Sequence, residues 1–239
     1  MTAETDLLQR VRDALRTDTT IGFDEASIVL ALSDGALLID GEVADVSVKR
    51  RTLRKAAAVV APRPIIDRLH VQPAAPMQDG MIGDLVRDAL IEEPALAGCR
   101  IRVWVKGRPE LVRDPPSTTG AIDIRVEAGV VTLNGEVSGL AQKRLAGALA
   151  WWVPGSRDVV NGIGVSPPEE DSDDEITDAV RLVLEKDPFV NPDQIRVTTR
   201  NAIVMLKGFV PTESERDMAE HDAWYVFGVE DVVNRSTVG

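Results

Sequence analysis

Residues 121–137, AIDIRVEAGVVTLNGEV, alternate apolar and polar side chains. Ile122, Ile124 and Val126 lead into a short turn, after which Val131 and Leu133 run up to Asn134-Gly135. Period-two alternation on both sides of a turn predicts a β-hairpin. The pattern occurs three times, the other copies being 28–43 (IVLALSDGALLIDGEV) and 195–210 (IRVTTRNAIVMLKGFV). Gly41, Gly135 and Gly208 take one position in all three, and Gly35, Gly129 and Ala202 fall six residues before them. These anchor glycines are expected at the hairpin exit, where a side chain is costly.

Helical spacing flanks each hairpin. Upstream lie 7–15 (LLQRVRDAL), 82–90 (IGDLVRDAL) and 176–184 (ITDAVRLVL), with apolar residues three and four apart. Downstream lie amphipathic stretches at 48–61, 141–153 and 213–226. Ser172 with Glu175, and Thr212 with Glu215, predict capping boxes. A short apolar segment closes each copy, and Asp67, Asn161 and Asn234 stand 26 residues after their anchor glycines. Asn161 and Asn234 are expected to bond turn backbone and tie the helix exit to the last strand, whereas an ionised Asp67 can only accept. The fold class is therefore α+β: three small repeats, each helix–strand–strand–helix–strand, with a three-stranded mixed sheet and both helices on one face. The expected repeats are 1–72, 78–166 and 173–239. Inward positions are Ile28, Leu30, Leu32, Leu69 and Val71 in the first, and Ile122, Ile124, Val126, Ile163 and Val165 in the second. Units this small bury little core, which favours contact between repeats.

The middle copy is longer. Leu90 to Gly135 spans 45 residues, against 26 and 24 for the equivalent stretches. The surplus, near 99–120, predicts an inserted β arm in which Ile101, Val103 and Val105 alternate and Trp104 faces the other way. Arg108-Pro109 and 114–120 (DPPSTTG) are expected to be loop. The arm either packs on its own domain or binds a partner through Arg100, Arg102, Lys106 and Arg108. Trp151 and Trp152, aligned with Trp224 and Tyr225, either fill inter-repeat contacts or expose a binding anchor, so Trp104, Trp151, Trp152 and Trp224 are the candidate aromatic contacts.

Charge separates the repeats further. The formal net charge is −12, and residues 167–239 carry 7 basic and 17 acidic side chains. An acidic chain of this kind excludes a general nucleic-acid binder. The first repeat instead gathers Lys49, Arg50, Arg51, Arg54 and Lys55 on its second helix. That cluster is a candidate contact for an anionic surface, or else a solvated or salt-bridging face. Cys99 is the single cysteine, so neither an intramolecular disulfide nor a cysteine metal site is expected. His70 and His221, the two histidines, do not converge with other ligands. No phosphate-binding glycine motif is present, and no cofactor, metal site or catalytic residue is expected. No stretch is apolar enough to span a bilayer and no signal peptide is read, so a cytoplasmic setting with peripheral membrane association is the expectation.

All three tandem copies carry a resemblance, closest in the middle and last. VVTLNGEV (130–137) with Ala146, Ala150 and VPGSRDVVNGIGV (153–165), then MLKGFV (205–210) with VFGVEDVVN (226–234), resemble the BON family of bacterial osmotically induced, secretin and nodulation proteins. The first copy keeps LIDGEV (38–43) but has VVAPRPIID (59–67), with Asp67 in place of the asparagine. The resemblance implies the same helix–strand–strand–helix–strand unit and a role in contacting phospholipid or other envelope components. It points to a non-catalytic interaction module of a bacterial stress- or envelope-associated protein, with anionic phospholipid or a protein as its partner. The alternatives are a cytoplasmic protein–protein scaffold without lipid binding and, more distantly, small-molecule binding or catalysis. The sequence does not specify an oligomeric state.

Overall fold

The computed structural model describes residues 3–239. The fold is α+β, with six α-helices and three small sheets among the described residues. The chain divides into two compact units, Met1–Gln72 and Pro73–Gly239.

The first unit runs α1 (Ala3–Thr17), β1 (Ile28–Ser33), β2 (Ala36–Val43), α2 (Val46–Val60) and β3 (Ile65–Val71). Strands β1 and β2 are antiparallel, and β3 joins β2 in parallel after the α2 crossover. The hairpin closes on Asp34 and Gly35, with φ of 49° and 81°. Paired positive φ values give the turn a twist that matches the strands it joins. Val11 and Leu15 of α1 and Ala56 and Val60 of α2 are buried, as are Ile28, Leu30, Leu37, Ile39 and Leu69 of the sheet. Asp45 caps α2 by accepting from the Val48 amide at 3.0 Å.

The second unit contains the same order twice. Its first half has α3 (Asp79–Glu92), β4 (Cys99–Val105), β5 (Arg108–Arg113), β6 (Gly120–Glu127), β7 (Val130–Val137), α4 (Leu140–Trp151) and β8 (Asp158–Val165). Its second half has α5 (Asp173–Lys186), β9 (Ile195–Arg200), β10 (Ile203–Val210), α6 (Glu213–Tyr225), β11 (Asp231–Asn234) and β12 (Thr237–Val238). In each half one carboxylate ties the first helix to the hairpin tip. Asp79 accepts from Ala128 and Gly129 amides at 2.9 and 2.8 Å, and Asp173 from Asn201 and Ala202 at 2.7 and 2.8 Å.

Two sheets exceed the expected three strands. The middle one has the order β5-β4-β6-β7-β8, because the insertion forms a hairpin whose β4 pairs in parallel with β6. Arg108 and Pro109, expected as loop, open strand β5. The proline there pairs with Trp104 on an edge, where its missing amide costs least. In the last sheet the final strand is interrupted at Arg235-Ser236, so β11 and β12 pair separately with β10.

The anchor glycines lie inside the second strands and not at the hairpin exit. Gly41 and Gly208 pair with Ile28 and Ile195, the first residues of β1 and β9, and Gly135 with Ile122 near the start of β6. A Cβ on Gly135 would fall 2.1 Å from the Ala121 carbonyl oxygen, and Gly135 has φ of 125°. At Gly208 the corresponding approach, to the Gln194 oxygen, is 1.8 Å. Close backbone approach is what selects glycine here. The two predicted caps form from one side. Ser172 and Thr212 accept from the amides of Glu175 and Glu215, while the Glu215 carboxylate accepts from Asn191 N at 2.9 Å.

Candidate functional site

The five basic residues of α2 do not make one surface. Lys49 is buried, with its ammonium 3.0 Å from Asp67 and 2.7 Å from the Leu69 carbonyl oxygen. It is therefore corrected from a surface contact to a structural ion pair. Asp67 also accepts from the Leu69 amide at 2.9 Å. Lys55 pairs with Asp18 at 2.9 Å, which with Thr20 lowers the Asp18 pKa to about 2. Arg50 and Arg51 are half-buried and only Arg54 is exposed.

The same register explains the asparagines. Lys49, Lys143 and Arg216 stand at one position of the three second helices, each eight residues after its anchor glycine. Asn161 donates to the Lys143 carbonyl oxygen at 2.7 Å and accepts from Ile163 N at 3.3 Å. Asn234 donates to the Arg216 oxygen at 2.9 Å and accepts from Ser236 N at 3.1 Å. The asparagine thus ties the last strand to the first turn of the helix, rather than to its exit. In the first unit the acidic Asp67 has no such donor, and the lysine side chain supplies the missing proton. One tie is made with two chemistries.

The inserted hairpin is the most exposed apolar element. It turns on Lys106 and Gly107, with φ of 49° and 77°. Behind the turn, Ile101 and Val103 are buried, and Arg113 anchors the base by donating to the carbonyls of Cys99, Ile91 and Leu96. Cys99 is fully buried, and that burial pushes its thiol pKa up. Beside the turn Trp104 is 38% exposed and Val105 40%, and on β5, back towards the base, Leu111 is 58% and Val112 40% exposed. Arg102 forms a two-point ion pair with Asp123, at 2.6 and 2.7 Å, and Arg100 pairs with Asp114 at 2.7 Å. Lys106 and Arg108, at the tip, have no ion-pair partner among the described residues. The pairing of β4 with β6 ends at Val103 and Ile124. Beyond it a cleft of about 500 Å³ opens between the two strands, lined by Gly80 and Gly83 of α3 with Val103, Trp104, Val105 and Val126.

The other aromatic candidates lie elsewhere. Trp224 is fully buried, so it offers no contact surface. Trp151 and Trp152, half-buried, sit on the seam between the two halves of the second unit. Trp151 stacks on Tyr225 at 5.8 Å, and the Trp152 indole donates to Asp222 at 2.8 Å. Arg144 of α4, fully buried, donates to the Phe227 carbonyl oxygen at 3.0 Å and pairs with Asp171. Lys186 reaches buried Glu93 at 3.0 Å, and Lys143 lies 4.5 Å over the Phe227 ring. His221 stacks on Tyr225 at 6.5 Å. No cluster of metal-binding side chains occurs among the described residues. No helix among them is long and apolar enough to cross a membrane. Arg144, Asp222 and Glu93 were not singled out from the sequence. The available signal was position: Asp222 stands where the middle copy has Leu149, a core slot.

The asparagine ties of the second unit fall within residues 108–167 and 172–239, which match the pattern of the BON domain. The chain belongs to the BON family. The matched residues begin at 108, inside the inserted hairpin, and the first unit lies outside them. Among curated proteins, the osmotically-inducible protein Y of Escherichia coli (strain K12) is 31% identical over 119 residues. That match spans 47% of this chain and 59% of the relative's length. The C-terminal domain of CdsD, a structural protein of the type III secretion system of Chlamydia trachomatis, aligns over all of both chains at 14% identity. Its TM-score of 0.25 is too low to bear on fold or function.

Proposed function

We propose that this BON protein is a non-catalytic interaction module that meets anionic phospholipid through the β4–β5 hairpin. The carrying observation is the hairpin, where exposed Trp104 and Val105 flank the turn with the unpaired cations Lys106 and Arg108, and exposed Leu111 and Val112 continue along β5. Apolar side chains interleaved with cations suit the headgroup layer of a bilayer, with tryptophan at the boundary. Two cations contribute about 1 kcal/mol each near an anionic surface, so the attachment is weak and salt-sensitive. The α2 cluster supports this reading less, because Lys49 is buried and Lys55 is paired. Family membership and the likeness to an osmotically inducible protein favour a binding role in a stress response over catalysis. The first unit, with the same element order, is read as a third and divergent repeat.

Co-sedimentation of the full chain with vesicles tests the proposal. Vesicles with phosphatidylglycerol should carry the protein down at low salt and lose it at moderate salt, whereas purely zwitterionic vesicles should not. Lys106→Gln with Arg108→Gln, and separately Trp104→Ser with Leu111→Ser, should each reduce the bound fraction several-fold. Arg50→Gln, Arg51→Gln and Arg54→Gln together should change it little. Unaltered sedimentation of both hairpin variants would refute the assignment. A protein scaffold is the second reading, favoured by the open edge of β5, which among the described residues pairs only with β4. It predicts that sedimentation fails on every vesicle and that cross-linking of the intact chain captures partners lost on mutation of Leu111.

A further inference from the structure

We propose that the seam between the two halves of the second unit is a proton-operated latch, in which a protonated Asp222 bridges Trp152 and Asp187. Asp222 is 2% exposed, on the face of α6 turned towards the first half of the unit. One carboxyl oxygen accepts from the Trp152 indole, which comes from the end of α4. The other, Oδ2, has no donor facing it. A second carboxyl that interacts with Asp222 is Asp187, which caps the end of α5 and accepts from the Phe189 amide at 2.8 Å. An oxygen buried against a carboxylate is satisfied only if it carries a proton to donate. With the proton present, Asp222 donates to Asp187 and accepts from Trp152, so three elements meet in one chain of hydrogen bonds. When the proton leaves for solvent, a buried Asp222 carboxylate faces the half-buried Asp187 carboxyl at the seam.

Among the described residues no cation pairs with Asp222 or Asp187. On α4, Arg144 is committed to Phe227 and Asp171, and Lys143 to the Phe227 ring. On α5, Lys186 is held by Glu93. On α6 itself, Arg216 pairs with Glu213, His221 stacks on Tyr225, and Glu215 accepts from Asn191. The strands beneath contribute buried Val204, Leu206 and Val232. Desolvation, followed by the Asp187 charge against the Trp152 bond, raises the Asp222 pKa to about 8. The sign follows directly. A carboxyl whose pKa is raised on closing favours the closed seam at low pH, and that preference falls as pH climbs towards the raised value. The seam therefore loosens in mildly alkaline conditions.

Hydrogen exchange of the full chain, corrected for the intrinsic pH dependence of exchange, tests the latch. Segments 140–152 and 213–225 should lose protection roughly tenfold between pH 7 and 9, as a closed-state value near 8 requires. Asp222→Asn keeps an acceptor for Trp152 and supplies a permanent donor to Asp187, so its protection should not vary over that range. Asp187→Asn should move the loss to lower pH. Carbon NMR titration of Asp222 in the unmodified protein provides a check independent of any variant. An ordinary carboxylate value, or an equal loss of protection in Asp222→Asn, would overturn the proposal.

Discussion

Asp67→Asn makes the first unit look more like its two neighbours, yet it should destabilise the fold. In the other copies the asparagine amide donates to a helix carbonyl. In the first, Lys49 makes that reach with its own side chain, 7% exposed, while the Asp67 side chain is 34% exposed. Removing one partner of a fully buried pair costs about 3–5 kcal/mol. Water reaches Asp67 and the lysine keeps its bond to the Leu69 carbonyl, so the expected loss is about 1–2 kcal/mol. For a unit of this size that lowers the melting temperature by roughly 5–15 °C. The assay exploits the tryptophans, which stand at 104, 151, 152 and 224, all in the second unit. Thermal melts by circular dichroism should show the shift, whereas melts by tryptophan fluorescence should not move. Lys49→Met should cost a similar amount, and the double variant less than the sum of the two. The mirror change Asn161→Asp, which faces the Lys143 carbonyl with a second acceptor, should shift the fluorescence melt. An unaltered dichroism melt for Asp67→Asn, or strict additivity in the double variant, would refute the tie.

Gly135→Ala should cost about 2–4 kcal/mol, since its Cβ would lie 2.1 Å from a backbone oxygen; urea titration of fluorescence measures it. Arg144→Ala should lower stability by about 2–4 kcal/mol and split the second unit's single transition into two, visible by calorimetry. Asp18, held to about 2 by Thr20 and Lys55, adds stability above pH 4 that fades as pH falls towards 2. Asp18→Asn should flatten that acid limb in dichroism melts between pH 5 and 2.

The repeated architecture was legible because alternation and helical spacing recur in register with the anchor glycines. The reason for those glycines was not, since a strand glycine and a turn glycine look alike until the facing carbonyl is placed. Strand β5 escaped for a physical reason: it is exposed on both faces from Arg108 to Val112, so no alternation marks it, and its proline imitates a turn. Lys49 was hidden in a run of like charges that reads as a solvated face. Only its shared 18-residue offset with Asp67, repeated by Lys143 with Asn161, distinguishes it. The seam was least legible, because side chains that pack between repeats obey no period within either one.

Cys99 gives the inserted hairpin a built-in clock. It is the chain's one thiol, it begins β4, and it is fully sealed with its ionisation suppressed. A thiol reagent can modify it only when β4 has peeled from β6 or the base of the hairpin has opened. Under fast reclosing, the labelling rate divided by that of an unfolded control gives the equilibrium for that excursion. The arm proposed to touch membranes can thus be timed in the unmodified protein, and vesicles that engage its tip should change the rate.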